Sequence, residues 1–302
     1  MAYSSWAELV AVDPEESFSS QGLEEGDPLG VPSLRLHDLE TGADTLLEDG
    51  AFSLAWRGDG AVAYFKGSEA VFRVNRPFVG HVFVEDAPGA EPTQWTSKPG
   101  RYVVLAWAGD RLLAYRRLEG NSVDLVALDG PGRERVLSVS SELIAVAPGG
   151  GAALVDLESS GDSWGFGLVD IASGEVLSTL PLDGGDDSAS IQSVGYNGSW
   201  VDDRAVVPAD GGIAVLEIQG TSITLDGVLR FPPEYTEGVW EPRLVPGSGG
   251  GEVVVWARLG RSDDSAAGGR YQHLVCEIES GRCGAGPPQE AMTYRPVGTP
   301  DR

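Results

Sequence analysis

The strongest constraint on the fold is a repeat of short strand-like runs with a period close to 50 residues. Residues 33–67 show the unit most clearly, because alternating apolar runs are separated by turn sequences such as Glu40-Thr41-Gly42. In each copy an apolar or aromatic anchor precedes a turn: Trp6, Trp56, Trp107, Val146, Tyr196, Val245 and Tyr294. Successive anchors are 50, 51, 39, 50, 49 and 49 residues apart. Such a period predicts packed four-stranded blades, since one blade cannot bury both of its faces alone.

The predicted fold is all-β: a six-bladed β-propeller of four-stranded antiparallel blades, forming one domain over residues 1–302. The blades are expected at 1–48 together with 289–302, 49–97, 98–139, 140–182, 183–231 and 232–288. The first blade lacks one strand, and the tail around residues 291–296 returns to the anchor position. Pairing of the N-terminal and C-terminal strands would close the ring and remove exposed sheet edges.

Net charge excludes two classes of partner. The chain has 46 acidic and 21 basic residues, a formal net charge of −25, which repels nucleic acid and anionic lipid. No apolar run reaches the length of a membrane span, and the first residues lack the basic and apolar regions of a signal peptide. Membrane insertion by this segment is therefore not predicted.

Residues 34–64 carry a recognisable motif, Leu-x-Leu-x-Asp-Leu-x-Thr-Gly followed by Leu-Ala-Trp-x-x-Asp-Gly-x-Val-Ala-Tyr. It resembles the TolB-like, WD40-like six-bladed propeller repeats of bacteria, and residues 105–110 form a second copy. Later copies share the hydrophobic pattern alone, and most blades lack the Pro-Asp-Gly turn usual in that family. The resemblance implies a non-catalytic scaffold, often exported, that binds partners.

Catalytic motifs are sparse. His37, His81 and His273 fall on different blades without zinc-ligand spacing, and neither a Gly-x-Ser-x-Gly elbow nor a P-loop is present. The alternative function is a metal-dependent lactonase- or lyase-type enzyme, whose ligands would converge on a central channel from the innermost strands. Those strands offer Glu241 and little else. No cofactor is predicted, and a calcium ion in an acidic loop or in the channel stays open as the alternative.

The two cysteines flank a turn. Cys276 and Cys283 surround Glu279-Ser280-Gly281-Arg282, and in a hairpin they would lie nearly opposite, within the reach of a disulfide. A disulfide persists only in an oxidising compartment, so this pairing predicts an extracytoplasmic protein whose leader or anchor lies outside this segment. The alternatives are two reduced thiols or a metal-binding pair, and either of these would be consistent with a cytoplasmic location.

Candidate binding residues are aromatic and acidic side chains on loops that enter the innermost strand of a blade or join its second and third strands. They are Trp95, Tyr102, Trp164, Tyr235 and Trp240, with Asp183, Asp186 and Asp187 among them. Exposed Trp and Tyr often anchor partners, and the acids would add selectivity for cationic groups. The sequence thus predicts a monomer that binds a protein, peptide or saccharide at this face. The alternative is that these rings pack against their own loops.

Overall fold

The computed structural model describes residues 2–7, 28–37, 44–69, 72–73, 78–118, 122–139, 141–158, 164–182, 198–209, 212–232, 237–245, 251–259 and 270–285. Every regular element in these ranges is a β-strand, which confirms the all-β prediction. None of the ranges forms a helix with the length and apolarity that crossing a membrane requires. The chain divides into two compact units: unit 1 holds residues 1–136 and 295–302, and unit 2 holds residues 137–294.

The first twelve strands form three antiparallel sheets. They are β1 (Ala2–Ala7), β2 (Pro28–His37), β3 (Asp44–Asp49), β4 (Ala51–Trp56), β5 (Val62–Gly67), β6 (Phe72–Arg73), β7 (Gly80–Glu85), β8 (Thr93–Gln94), β9 (Arg101–Ala108), β10 (Arg111–Arg117), β11 (Val123–Leu128) and β12 (Glu134–Val139). Sheet 1 has the order β1-β2-β3, with β6 also pairing β2. Sheet 2 is β4-β5-β7-β8, and sheet 3 is β9-β10-β11-β12.

The remaining strands form three further four-stranded sheets. They are β13 (Leu143–Val146), β14 (Ala152–Glu158), β15 (Trp164–Asp170), β16 (Val176–Pro181), β17 (Ser199–Val201), β18 (Arg204–Ala209), β19 (Gly212–Gln219), β20 (Ser222–Arg230), β21 (Glu237–Leu244), β22 (Glu252–Leu259), β23 (Arg270–Glu277) and β24 (Arg282–Ala285). Sheets 4, 5 and 6 each take four consecutive strands in chain order. Their strand pairings are antiparallel, so sheets 4, 5 and 6 are up-and-down meanders.

Within unit 1, apolar side chains fill the space between successive sheets. Leu34 of sheet 1 packs with Val62 and Tyr64 of sheet 2, whereas Phe65 on the other face of sheet 2 packs with sheet 3. The anchor Trp56 joins the cluster of Leu34, and Trp107 joins the cluster of Phe65. Each of these anchors therefore packs towards the preceding sheet, as equivalent positions of a repeat should. The Trp107 indole N–H also donates to the Ala55 carbonyl at 3.1 Å, linking β9 to β4.

Within unit 2, the first strands of successive sheets adjoin in the same way. The Gly198 N–H, just before β17, donates to the Ile144 carbonyl of β13 at 3.1 Å. The Gly198 carbonyl accepts a hydrogen bond from Arg243 Nη1 of β21 at 2.8 Å. A Cβ at Gly198 would lie 2.4 Å from the Ile144 side chain, so this approach requires glycine. Apolar clusters fill the spaces between sheets 4 and 5 and between sheets 5 and 6.

Sheet 1 obtains its fourth strand from a source that the sequence did not indicate. Phe72–Arg73 pairs with Gly30 and Pro28 of β2. The tail that was expected to complete this sheet, around residues 291–296, lies outside the described residues, so ring closure stays a prediction. The anchors Tyr196 and Tyr294 also lie outside them, and the first strand of sheet 5 is Ser199–Val201.

Candidate functional site

The entry to β9 is fixed by two glycines. The Gly80 N–H donates to the Gly100 carbonyl at 2.9 Å, and the Gly100 N–H donates back to the Gly80 carbonyl at 2.8 Å. A Cβ on Gly80 would lie 2.0 Å from the Lys66 carbonyl oxygen, and one on Gly100 would lie 2.6 Å from the Tyr102 ring. Because only glycine allows this approach, the backbone of sheet 3 begins at a defined position beside sheet 2.

A polar network lies directly behind this entry. The Tyr102 hydroxyl donates to Glu134 Oε2 at 2.8 Å, and Arg116 donates to Asp124 Oδ2 at 2.7 Å and to Glu134. Tyr102 is buried, and burial together with the Glu134 carboxylate raises the pKa of its hydroxyl. The hydrogen bond to Asp124, followed by the charge of Glu134, raises the pKa of Arg116. One cation thus holds two carboxylates from different strands of sheet 3.

The opposite face of the same hairpin carries two arginines without such partners. Arg101 of β9 pairs directly with Arg117 of β10, and neither guanidinium has an ion pair or hydrogen bond in the part of the chain that the structure describes. Arg117 is exposed and Arg101 is half-buried. Like charges directly opposite each other in a sheet are unfavourable, so this pair is not explained by stability.

Three further exposed side chains lie close in the chain to this arginine pair or to the Gly80–Gly100 bridge. Val79 precedes the Gly80–Gly100 bridge and is 36% exposed, and Leu118 follows Arg117 and is 38% exposed. Lys98, in the loop before Gly100, is also exposed. We call these five residues, Val79, Lys98, Arg101, Arg117 and Leu118, the β9-entry surface. This surface lies where the chain enters the first strand of a sheet or passes between its second and third strands. These are the loop types that the sequence predicts to form the binding face.

The other end of β9 is closed by aromatic packing. The Trp95 and Trp107 rings meet edge to face with centroids 5.5 Å apart, and the Arg57 guanidinium covers Trp107 at 4.5 Å. Arg57 also binds Asp59 at 2.8 Å, and this hydrogen bond together with the Ala61 N–H lowers the pKa of the Asp59 carboxyl. The cluster is therefore a structural cap on the turns after β4 and β9.

The candidate binding residues divide into two groups. Trp95 is half-buried against Trp107, and Tyr102 is 5% exposed, so both rings pack into the core between sheets 2 and 3. Trp164 begins β15 and Trp240 lies in β21, and their side chains are outside the described part. Tyr235, Asp183, Asp186 and Asp187 lie outside the described residues altogether. The structure brings the Trp95 and Tyr102 rings onto one core cluster, and binding at the eight candidate residues stays a prediction.

The residues of the β9-entry surface were not identified from the sequence, although a signal for them exists. Residues 98–139 hold seven of the 21 basic residues and five of the 46 acidic ones, a local net charge of +2. The rest of the chain then carries −27. A basic segment in so acidic a chain marks sheet 3 as different from its neighbours.

The disulfide prediction is confirmed. Cys276 of β23 lies directly opposite Cys283 of β24, with Cα atoms 4.0 Å apart, and the two sulfur atoms are bonded. Cys276 is fully buried, and both cysteines belong to the apolar cluster between sheets 5 and 6. The bond therefore fixes the last two strands of sheet 6 to each other.

Metal chemistry has few candidate ligands in the described segments. His81 Nδ1 lies 3.1 Å from the Thr96 carbonyl oxygen and 3.2 Å from its hydroxyl, a local structural contact. No three His, Cys, Asp or Glu side chains in the described segments come together as ligands. Glu241 lies in β21 and its side chain is outside that description, as are the acidic loops considered for calcium.

No protein-family model matches the sequence, and the search of curated proteins found no match. Among solved structures, the chain is similar to a prolyl endopeptidase with a TM-score of 0.59 and 14% identity, covering 85% of this chain and 38% of the other. The chain is also similar to an acylaminoacyl peptidase of Pyrococcus horikoshii, with a TM-score of 0.52 and 14% identity. This match covers 84% of this chain and 41% of the peptidase. For TolB of Acinetobacter baumannii the TM-score is 0.43 and the identity is 12%. That match covers 87% of this chain and 66% of TolB.

The chain thus spans about two fifths of each of these two peptidases. At such identities the likeness shows the fold and not the activity. The likeness in fold agrees with the observed architecture. Within each unit, four-stranded sheets pack face to face and adjoin through their first strands. The chain has the fold of a β-propeller.

Proposed function

We propose that this propeller is a non-catalytic scaffold that binds a protein or peptide partner at the β9-entry surface. The observation that supports this most is the exposure of Val79 and Leu118 on either side of a backbone fixed by the Gly80–Gly100 bridge. A partner that docks on such a surface buries apolar area without having to order the loops first. Rigid presentation of a few exposed groups is what a binding scaffold requires.

The proposal includes the complete ring. Six four-stranded blades in one domain over residues 1–302, closed by strands near the two chain ends, would give one rigid monomer with a continuous face. Trp164, Tyr235 and Trp240, with Asp183, Asp186 and Asp187, would extend the binding face to further blades. Aromatic contacts of this kind would also suit a saccharide, which is the second class of ligand for the same face.

An extracytoplasmic location is part of the proposal, and the Cys276–Cys283 bond supports it. Disulfides form and persist in oxidising compartments and are rare in the cytosol. The partner would then be a protein or peptide of the cell envelope or the cell exterior.

Site-specific cross-linking tests the proposed face. A photoreactive residue replaces Leu118 in one variant and Leu46 in the other, because Leu46 is the matched exposed apolar residue, 46% exposed on β3. After irradiation in the source cell envelope, we expect a discrete cross-linked species from position 118 and none from position 46. Discrete adducts from both positions, or from neither, would contradict the proposed face.

A further inference from the structure

We infer that the β9-entry surface recognises an acidic peptide segment, through carboxylates bound by Arg101 and Arg117. This inference rests on the proposed function and names the chemistry of the partner. Its starting point is the direct cross-strand pairing of the two arginines. Such a pair is unfavourable in the free protein, and a bound carboxylate reverses the sign of the interaction.

Strand alternation explains why only one of two adjacent arginines is neutralised. Successive side chains of β10 point to opposite faces of sheet 3. Arg116 faces Asp124 and Glu134 and binds both. Arg117, on the other face, has Arg101 as its cross-strand neighbour and no acidic partner among the described residues. The chain has 46 acidic residues, more than twice the number of its bases, yet the described part places none of them on this pair.

The surroundings select a peptide over other anions. Val79 and Leu118 offer apolar contacts that an inorganic anion cannot use. Leu118 directly follows Arg117 in the chain, and Val79 precedes Gly80, whose bridge partner Gly100 directly precedes Arg101. Nucleic acid and a second copy of this chain are both disfavoured, because a net charge of −25 repels any large polyanion. A short segment with carboxylates and an apolar residue matches the surface and carries little charge elsewhere.

Fluorescence anisotropy tests the inference with a labelled peptide of twelve residues that alternates Glu and Leu. The double variant Arg101→Glu/Arg117→Glu is compared with Arg133→Glu/Arg282→Glu, which changes the net charge equally at two exposed arginines elsewhere. At an ionic strength of about 0.15 M, we expect the first variant to lose affinity at least about tenfold and the control to stay within about twofold. A peptide with Gln in place of Glu should bind the wild type no better than the first variant binds the Glu peptide.

The single variant Arg101→Glu separates recognition from folding. It replaces a like-charge cross-strand pair by an opposite-charge pair, so its melting temperature should equal or exceed that of the wild type while peptide affinity falls. A lowered melting temperature with unchanged affinity would overturn the inference, as would equal loss of affinity in the two double variants. Salt-sensitive self-association lost in the first variant, or full competition by millimolar inorganic phosphate, would identify a different ligand and also overturn it.

Failure of this inference is distinguishable from failure of the proposed function. If position 118 gives its discrete cross-linked partner while charge reversal leaves peptide binding unchanged, the scaffold function stands and the acidic partner is wrong. If neither position 118 nor the peptide gives a signal, both are wrong.

Discussion

Two buried tyrosine–glutamate pairs of unit 1 have the same chemistry and different surroundings. The Tyr64 hydroxyl donates to Glu85 at 3.0 Å, and the other oxygen of that carboxylate accepts the Gly89 N–H at 2.7 Å. The Tyr102 hydroxyl donates to Glu134 at 2.8 Å, and the other oxygen accepts from Arg116. The first pair ends at a backbone amide, whereas the second continues through a cation to Asp124.

The Tyr64–Glu85 pair therefore has a purely structural role, whereas the Tyr102–Glu134 pair supports a surface. Glu85 is 3% exposed and ties β5, β7 and the turn that follows β7 together, and no side-chain cation among the described residues binds it. Glu134 is 21% exposed, and the Arg116 that binds it is the chain neighbour of Arg117. The Tyr102 network therefore fixes the hairpin on whose other face the β9-entry surface lies.

Removal of the cation should have the largest effect on stability. Arg116→Met leaves Asp124 with 5% of its side chain exposed and without its ion-pair partner. The other carboxylate oxygen of Asp124 has no hydrogen-bond partner among the described residues, so Arg116 is its main support. We expect the free energy of unfolding to fall by about 3 kcal/mol, the lower end for breaking a buried pair.

Urea unfolding at neutral pH measures this loss. Arg133→Met is the matched control, because Arg133 is exposed and its side chain donates only to the Asp129 carbonyl among the described contacts. Its effect should stay below about 1 kcal/mol, as for exposed polar contacts. Equal losses in the two variants would mean that Asp124 is not held by Arg116.

Removal of the Tyr64 or the Tyr102 hydroxyl should lower the free energy of unfolding by different amounts. Tyr64→Phe leaves a buried Glu85 oxygen unsatisfied, for which we expect a loss of about 2 kcal/mol. Tyr102→Phe leaves Glu134 bound to Arg116 and partly in contact with water, so about 1 kcal/mol is expected. The same unfolding experiment measures both. A larger loss in Tyr102→Phe would reverse the assignment of the Tyr64 pair as the closed structural one.

The sequence predicted those features of the fold that depend on local chemistry. Gly60 and Gly130 each follow an aspartate in an Asp-Gly pair, which is a sequence signal for a tight turn. Their φ angles are +102° and +130°, values that only glycine adopts readily. The Cys276–Cys283 bond followed from a hairpin spacing. Trp56 and Trp107 were correctly taken as equivalent positions of a repeat, since large aromatic residues before a turn tend to be buried.

The candidate site was harder to predict, because it depends on strand register. Tyr102 was predicted as a binding residue, with packing of its ring as the alternative. In the structure its apolar body is buried and its hydroxyl donates to Glu134, 32 residues away. The pairing of Arg101 with Arg117 is visible only once β9 and β10 are aligned. A β-bulge at Leu105 shifts that alignment, because Ala106 and Val104 pair with the consecutive residues Leu113 and Ala114. The segment Phe72–Arg73 similarly pairs with β2, far away in the sequence.

Alkaline pH should act gradually, and it bears on both pairs together. Burial raises the pKa of Tyr64 and of Tyr102 in the folded protein, with the neighbouring carboxylates acting in the same direction. Both hydroxyls are therefore neutral in the folded chain at a pH where the unfolded chain already ionises them. Their contribution is fully present below the unfolded value of about 10 and is lost progressively as the pH rises above it.

We expect each tyrosine to remove about 1 kcal/mol of stability over the first pH unit above 10. Urea unfolding of the wild type, Tyr64→Phe and Tyr102→Phe at neutral pH and at a pH near 11 measures this slope. Between these two pH values, the free energy of unfolding should decline less in each variant than in the wild type. Each variant starts from a lower free energy of unfolding at neutral pH. Tyrosinate absorbance of the folded wild type should show at least two of the eight tyrosines un-ionised until the protein unfolds. A slope unchanged in Tyr102→Phe alone would place that hydroxyl in contact with water, and the contrast with Tyr64 would then be one of burial rather than of charge.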